Sequence, residues 1–449
     1  MAHPIADLRR EFRPMLQLAA PLALAELGWM AMGIVDTIMA GRLGPAPLGA
    51  GSLGNMVFYP AVIGATGLLL GMDTLVAQSF GANDVTDCRR TLVNGTWLAV
   101  ALSPVLAVVI LVLLPILLAT GVNPHVMVEL VPYMHALLWG IPPLLLYTAF
   151  RRYLQAVNVV KPVTFALVSA NIINFFGNWV LIFGHWGAPR LGLPGSGWST
   201  SISRVYMAGV LLGAILWHER RTGNLVFHIS WRPHAARIRR LVALGLPASG
   251  QMMLEGAMFG VVTVLAARLD EVSLAAHSIA VQVIATTFMV PLGISSAAAV
   301  RVGQGVGRKD PHGAAAAGWT ALAISGMFMG AAGILLWTAP RWVVALFIRD
   351  SDVISLGATL LRIAAFFELF DGFQVVATGA LRGVGDTRTP MLAHLTGYWI
   401  VGLPVAYVLC YTLGWGVSGI WVGLTAALIL IGIALVGVWR RRAPHSAQP

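Results

Sequence analysis

The sequence predicts an all-α membrane protein of twelve transmembrane helices in two pseudo-symmetric six-helix lobes. Three observations lead there. Apolar residues fill 58% of the 449 positions and charged residues 10%, at a mean hydropathy of +0.80, whereas a soluble domain carries about 25% charged residues. So little charge could not hold the surface of a chain this long in water. Apolar runs long enough to cross a bilayer recur twelve times. Finally, Pro21 to Asp84 aligns without a gap on Pro247 to Asp310, 226 positions later, with 17 of 64 residues identical. Duplicated sets of hydrophobic helices are the build of a transporter that rocks one half against the other.

Taken in order, the predicted spans lie near 16–40, 48–72, 91–115, 127–149, 163–184, 195–217, 241–267, 274–300, 314–338, 355–380, 391–412 and 417–439. Gly and Pro inside several of them are tolerated, because membrane helices find other partners for the freed backbone groups. The longest polar stretch, His218 to Arg240, follows span six and is read as an inter-lobe linker. It separates an N-terminal lobe (1–217) from a C-terminal lobe (241–449). The repeat continues after spans four and ten, where Gln155-x-x-Asn158 corresponds to Gly383-x-x-Asp386. An even number of spans per half makes the halves parallel, related by an axis along the membrane normal.

The cations fall mostly on one side. With a cytoplasmic N-terminus, the inner loops and ends hold 22 Lys and Arg and the outer ones 5, with Arg204 and Arg362 inside spans. The positive-inside rule then puts both termini and the linker in the cytoplasm. This topology signal accounts for the net charge of +11, so nucleic-acid binding is not invoked. Cys88 and Cys410 are too few for a disulfide framework. The polar start, MAHPIADLRREFRP, does not resemble a cleaved signal.

Ionisable groups within spans are costly, about 2.5–3.5 kcal/mol for a central Asp, Lys or Arg, and so point to function. The acids are Glu26 and Asp36 in span one, Asp73 at the end of span two, Glu255 in span seven, and Glu368 and Asp371 in span ten. Phe367, Asp371 and Gln374 fall at i, i+4 and i+7, on one face of span ten. If spans seven and ten pack together, Glu255 and Asp371 share a dry cavity. Such a pair can load a proton or a monovalent cation such as Na⁺ and release it when water returns. Glu368 points about 100° from Phe367 and is as easily a bonded structural carboxylate. In the first half, Asp36 is expected beside Asn174 and Asn178, which lie at i and i+4 on span five, with Asn171 one turn earlier. Asp73 is expected at the inner membrane surface as a solvated charge. His277, in Ala-Ala-His-Ser, reads as a satisfied helix-contact histidine.

No set of enzyme motifs is present. His218-Glu219 lacks the second His of a zinc protease, and no G-x-x-x-x-G-K-[ST] loop exists for nucleotide hydrolysis. Gly303-x-Gly305-x-Gly307 reads as a tight inner turn. Neither a cofactor nor a Cys/His metal cluster is expected.

Several stretches together resemble the multidrug and toxic compound extrusion (MATE) family, in its NorM-type bacterial branch. They are Val35-Asp36-Thr37-Ile38-Met39-Ala40-Gly41, Val76-Ala77-Gln78-x-x-Gly81-Ala82, Asn174-x-x-x-Asn178-Trp179, Ala275-Ala276-His277, Arg301-Val302-Gly303, and Leu381-Arg382-Gly383 leading to Asp386-Thr387. The resemblance covers Pro14 to Arg440. It implies a monomeric inner-membrane antiporter with two six-helix lobes around a central V-shaped cavity. Its partners would be cationic amphiphilic drugs or dyes and the lipid bilayer, exchanged for Na⁺ or H⁺. By the same resemblance the coupling acids are Asp36, Glu255 and Asp371, with Asn174 and Asn178 beside the first. Where some sodium-coupled relatives have a tyrosine one turn before the span-ten aspartate, this chain has Phe367 followed by Glu368. Phenylalanine offers a cation–π face but no oxygen, which favours protons over sodium. A lipid-linked precursor flippase of the same superfamily is the alternative, but it would favour cations in the cavity, and here the spans carry mostly acids.

Overall fold

The computed structural model describes residues 4–119, 123–221 and 230–443, and its described elements are helical. The helices are α1 (Pro4–Gly41), α2 (Pro45–Leu69), α3 (Gly71–Gly81), α4 (Val85–Ala119), α5 (Pro124–Trp139), α6 (Ile141–Ala156), α7 (Lys161–Phe183) and α8 (Leu193–Arg221). After the linker come α9 (Ala235–Ala267), α10 (Glu271–Gly307), α11 (Pro311–Thr338), the short α12 (Pro340–Ala345), α13 (Ser351–Gly383), α14 (Arg388–His394), α15 (Leu403–Tyr407) and α16 (Gly416–Arg442). The segments Leu395–Gly402 and Val408–Thr412, either side of α15, are π-helical. These make the twelve predicted spans. α2 and α3 run on as one, α14 to Thr412 is one, and α5 with α6 is one span bent by 42°.

Local chemistry sets the ends. Proline opens α2, α5 and α11, where its missing N–H costs nothing. Asn123, Asp310 and Asp350 accept backbone N–H bonds as caps. Asp270 does the same for α10, with the Ser273 N–H and hydroxyl both donating at 2.7 Å, which holds this exposed carboxyl below its ordinary range. Four helices end alike. Asn83, Asn158, Lys309 and Gly385 take left-handed φ values of 59°, 62°, 57° and 90°. The next residue's N–H reaches back to Ser79, Leu154, Gly305 and Leu381 carbonyls at 2.8–2.9 Å. Asn158 thus matches Gly385, one position short of the Asp386 expected from sequence, because the left-handed residue rather than the acid fixes the register.

The chain packs as two units, residues 24–249, and residues 1–23 with 250–449. The division therefore runs through α1 and α9 at repeat-equivalent positions, just after Pro21 and Pro247. In the first unit α7 packs on α8, and α8 on α5 and α6; in the second, α13 packs on α10, α11 and α16. Equivalent glycines make the close approaches. A β-carbon on Gly67 would overlap the Ser249 backbone, and one on Gly293 the Ala23 backbone.

Two expectations change here. The Gly303–Gly307 stretch is the end of α10, not a turn, and it lets α10 approach the Ala314 backbone of α11. Asp73 is not a solvated charge. It is 1% exposed and pairs with Arg152 at 3.4 Å. Glu26 pairs with buried Arg151, and Glu219 joins Arg89 and the Tyr153 hydroxyl at 2.5 and 2.6 Å. Residues 222–229 of the linker lie outside the described residues. The stretch after them lies along α4, where Asn94 accepts from the His234 N–H at 2.7 Å.

Candidate functional site

The unit containing residues 250–449 gathers the second-half acids from two helices, α9 and α13. Asp371 and Gln374 are one turn apart on α13, so both reach the same side. The Gln374 amide nitrogen donates to Asp371 Oδ1 at 3.1 Å and to Glu255 Oε1 of α9 at 3.2 Å. One amide therefore ties the two carboxylates together, although α9 is not among the helices that pack closely on α13. Gln251, one turn before Glu255, donates to Glu255 Oε2 at 2.9 Å. Asp371 and Gln374 are buried, and 16% of the Glu255 side chain remains exposed.

Three residues of this cluster escaped sequence reasoning, Gln251 being the first. His394, at the end of α14, is fully buried with Nε2 2.7 Å from Gln374 Oε1 and 3.8 Å from Glu255 Oε2. Tyr398, one turn later, is fully buried with its hydroxyl beside the Glu255 carboxylate. The available signals were the i, i+4 pairs Gln251/Glu255 and His394/Tyr398. Both were hidden by the apolar runs around them.

The flanking residues separate by role. Glu368 turns away from Asp371, and its carboxylate accepts from the Thr287 hydroxyl of α10 at 3.0 and 3.3 Å. Phe367 does not face the acids openly. It is 1% exposed and stacks on Trp421, with centroids 6.1 Å apart. His277 contacts Thr263 at 3.0 Å and accepts from the Trp421 indole at 3.2 Å, a satisfied contact between helices.

The unit of residues 24–249 holds the other acid. Asn178 Nδ2 donates to Asp36 Oδ1 at 2.6 Å, and the Thr200 hydroxyl of α8 donates to Oδ2 at 3.0 Å. Asn174 accepts from Asn178 at 3.2 Å, so the expected span-five pair is present. Asn171 is not part of it; it donates to the Gly28 and Leu167 carbonyls. Sequence reasoning missed Thr200, and left Arg204 without a role. Arg204 follows Thr200 by one turn on α8, is buried, and lies over the Phe58 ring at 4.9 Å. Its Nε and one terminal nitrogen have no hydrogen-bond partner. Gly140, at the bend between α5 and α6, leaves room for this guanidinium. A groove of about 490 Å³ runs between α1 and α7, walled by Ile38, Phe175, Phe176, Trp179 and Trp186 with Arg42 at its side, whereas Asp36 lines a separate small cleft with Asn55, Tyr133 and Ser196.

The MatE family model matches residues 21–180 and 247–408, one match per half. The chain is 36% identical over 442 residues to the "Probable multidrug resistance protein NorM" of Mesorhizobium japonicum, covering 97% of this chain and 94% of that one. It is 35% identical over 448 residues to the "Multidrug resistance protein PmpM" of Pseudomonas aeruginosa, covering 97% and 93%. Among solved structures, a MATE protein in complex with MaL6 superposes with a TM-score of 0.88 at 18% identity, over 99% of both chains. The eukaryotic MATE transporter AtDTX14 gives 0.84 at 19% identity, over 97% and 98%.

Proposed function

This chain belongs to the MATE family, NorM-type branch, and from that premise we propose that it is a secondary-active antiporter. It exports cationic amphiphilic compounds across the inner membrane in exchange for protons, with sodium the less favoured ion and both termini cytoplasmic. The observation that carries this reading is the tie of Glu255 and Asp371 to a single amide inside a helical bundle. A pair of acids that share one donor suits a site that is alternately charged and neutralised. Phe367 supplies no oxygen and is stacked on Trp421, so a sodium ion would find no ligand one turn before Asp371.

Antiport requires ion and drug to favour opposite conformations, because a ligand shifts an equilibrium only by its differential affinity. Neutralising Asp36, or the Glu255–Asp371 pair, removes negative charge that would hold an organic cation. The aromatic walls of the groove between α1 and α7 suit a planar ring. Asp36, Glu255 and Asp371 are therefore the coupling groups of the proposal, with Asn174, Asn178 and Gln374 positioning them.

Ethidium efflux from proteoliposomes under separately imposed proton and sodium gradients tests the reading. Dye should move with the proton gradient, and no movement under either gradient sinks the proposal. A periplasm-reporting fusion at Gly223 should stay silent; a signal there would overturn the topology.

A further inference from the structure

Resting on the coupling site proposed above, we infer that His394 is a third proton-holding group of that site, exchanging its Nε2 proton with Glu255 while the Gln374 amide turns over. The imidazole is oriented by its own helix. Nδ1 lies 2.7 Å from the Pro390 carbonyl oxygen, and a carbonyl only accepts, so Nδ1 keeps its hydrogen in every state. Titration is thereby confined to Nε2.

Nε2 faces two amides with opposite demands. Gln374 Oε1, at 2.7 Å, requires an N–H. Gln251 Nε2, at 3.3 Å, requires a lone pair. One nitrogen meets only one demand at a time, so its surroundings are built for both protonation states. When Nε2 is protonated it donates to Gln374 Oε1. The Gln374 NH₂ is then free to donate to Glu255 and Asp371, both acting as carboxylates. When Nε2 is bare it accepts from Gln251, and its lone pair repels the Gln374 oxygen. That amide then turns over, offering NH₂ to the imidazole and oxygen to a protonated carboxyl. The position of the proton and the orientation of one amide are the same variable.

The exchange balances. The Nε2–H bond breaks and an O–H bond forms on Glu255 Oε2, 3.8 Å away. Imidazolium becomes imidazole, carboxylate becomes carboxylic acid, and the summed charge of His394, Glu255 and Asp371 is unchanged. Burial assigns the direction of traffic. His394 is sealed while Glu255 keeps 16% of its side chain exposed, so Glu255 is the entry and His394 the interior store. The π-helical segment beginning at Leu395 adjoins His394, and such departures from α geometry recur at functional sites. The other groups around it are few. α9 brings Gln251 and Glu255, and α13 brings Asp371 and Gln374, with Glu368 turned to Thr287 on α10. Its own span brings Tyr398, and α16 carries no ionisable side chain from Gly416 to Val438.

The test uses the purified full chain. Protons released into weakly buffered detergent on saturation with ethidium are counted across pH, alongside efflux driven by a pH gradient in proteoliposomes. His394→Gln should release about one proton fewer and lose roughly tenfold in pH-driven rate, while still binding dye at alkaline pH. Gln374→Met keeps the imidazole but removes the turning amide, and should move the midpoint of proton release by about one pH unit. Equal release and an unshifted midpoint in His394→Gln, with pH-driven efflux intact in the wild type, overturn the inference alone. Absence of pH-driven efflux in the wild type overturns the coupling reading itself and the inference with it. If His394→Gln fails to bind dye at any pH, the imidazole resonance of His394 in the wild type decides: one that titrates across the release midpoint supports the inference, and one that stays fixed overturns it.

Discussion

The acids of the two halves occupy different chemical settings although their helices are repeats. Asp36 is a single carboxylate that accepts from an amide and a hydroxyl, with the buried Arg204 guanidinium on the helix that supplies the hydroxyl. Glu255 and Asp371 form a pair bridged by one amide and backed by a histidine. In the repeat register Asp36 matches Val262, and Glu255 matches Trp29. Duplication thus carried over the backbone, with its left-handed helix ends and its close-packed glycines, but not the acids. A lone acid with a built-in counter-charge is suited to sensing a bound organic cation. A pair without one is suited to holding a proton.

That contrast can be broken first at the pair. Glu255→Gln and Asp371→Asn should each cut gradient-driven ethidium efflux by roughly a hundredfold, the scale of losing one partner from a buried charged set, about 3 kcal/mol. Yield and monodispersity of the purified variants should stay normal. Normal transport in either would show that the pair does not couple. Asp36→Asn should act differently, weakening dye binding by about tenfold and flattening its dependence on pH. In the wild type, raising proton concentration should weaken cationic dye binding, and by linkage dye should weaken ion binding equally. Wild-type affinity that is constant from about pH 5.5 to 8.5, a range spanning histidine titration, would remove Asp36 from the mechanism.

The shared backbone makes smaller predictions. Gly67→Val and Gly293→Val should each lower stability by about 1–3 kcal/mol through overpacking, read as a fall in thermal midpoint. A large asymmetry between them would mean that the two crossings are not equivalent. Phe367→Tyr adds an oxygen one turn before Asp371 and should raise the sodium sensitivity of transport about threefold, the worth of one modest hydrogen bond. The least effect is expected at Asp270→Ala, which removes the cap of α10 and should speed amide exchange at Ser273. Because the folded carboxyl is held below its ordinary range, its contribution is present above the unfolded pKa and disappears as pH falls through the folded value.

Spans, repeat and the principal acids were legible because each has a strong physical signature. Twenty apolar residues have few uses other than crossing a bilayer, and a carboxylate within one is too costly to be incidental. The partners were not legible, since they come from elements distant in sequence. Arg151 and Arg152 read as loop cations until α1 and α3 brought Glu26 and Asp73 to them. Asn171 has the right spacing for the Asp36 cluster, but the Gly28 carbonyl claims its amide. His394 sits in an apolar run that gives no hint of Gln374, twenty positions earlier. The one-residue offset between Asn158 and Gly385 was hidden because Asn and Gly both adopt left-handed φ, and only the helix ends reveal which residues do so.

The exchange of helix ends between the packing units has a consequence for the order in which the chain can mature. A ribosome that has completed six spans has not yet made Ser249, the residue that lies against Gly67. The first unit must wait for the linker and the opening turns of α9 before its packing is complete. Residues 1–23, made well before α10, wait longer still, until Gly293 of α10 is inserted. Neither half can finish alone during synthesis, so two separately expressed halves cut at the linker would each lack a piece that the other carries.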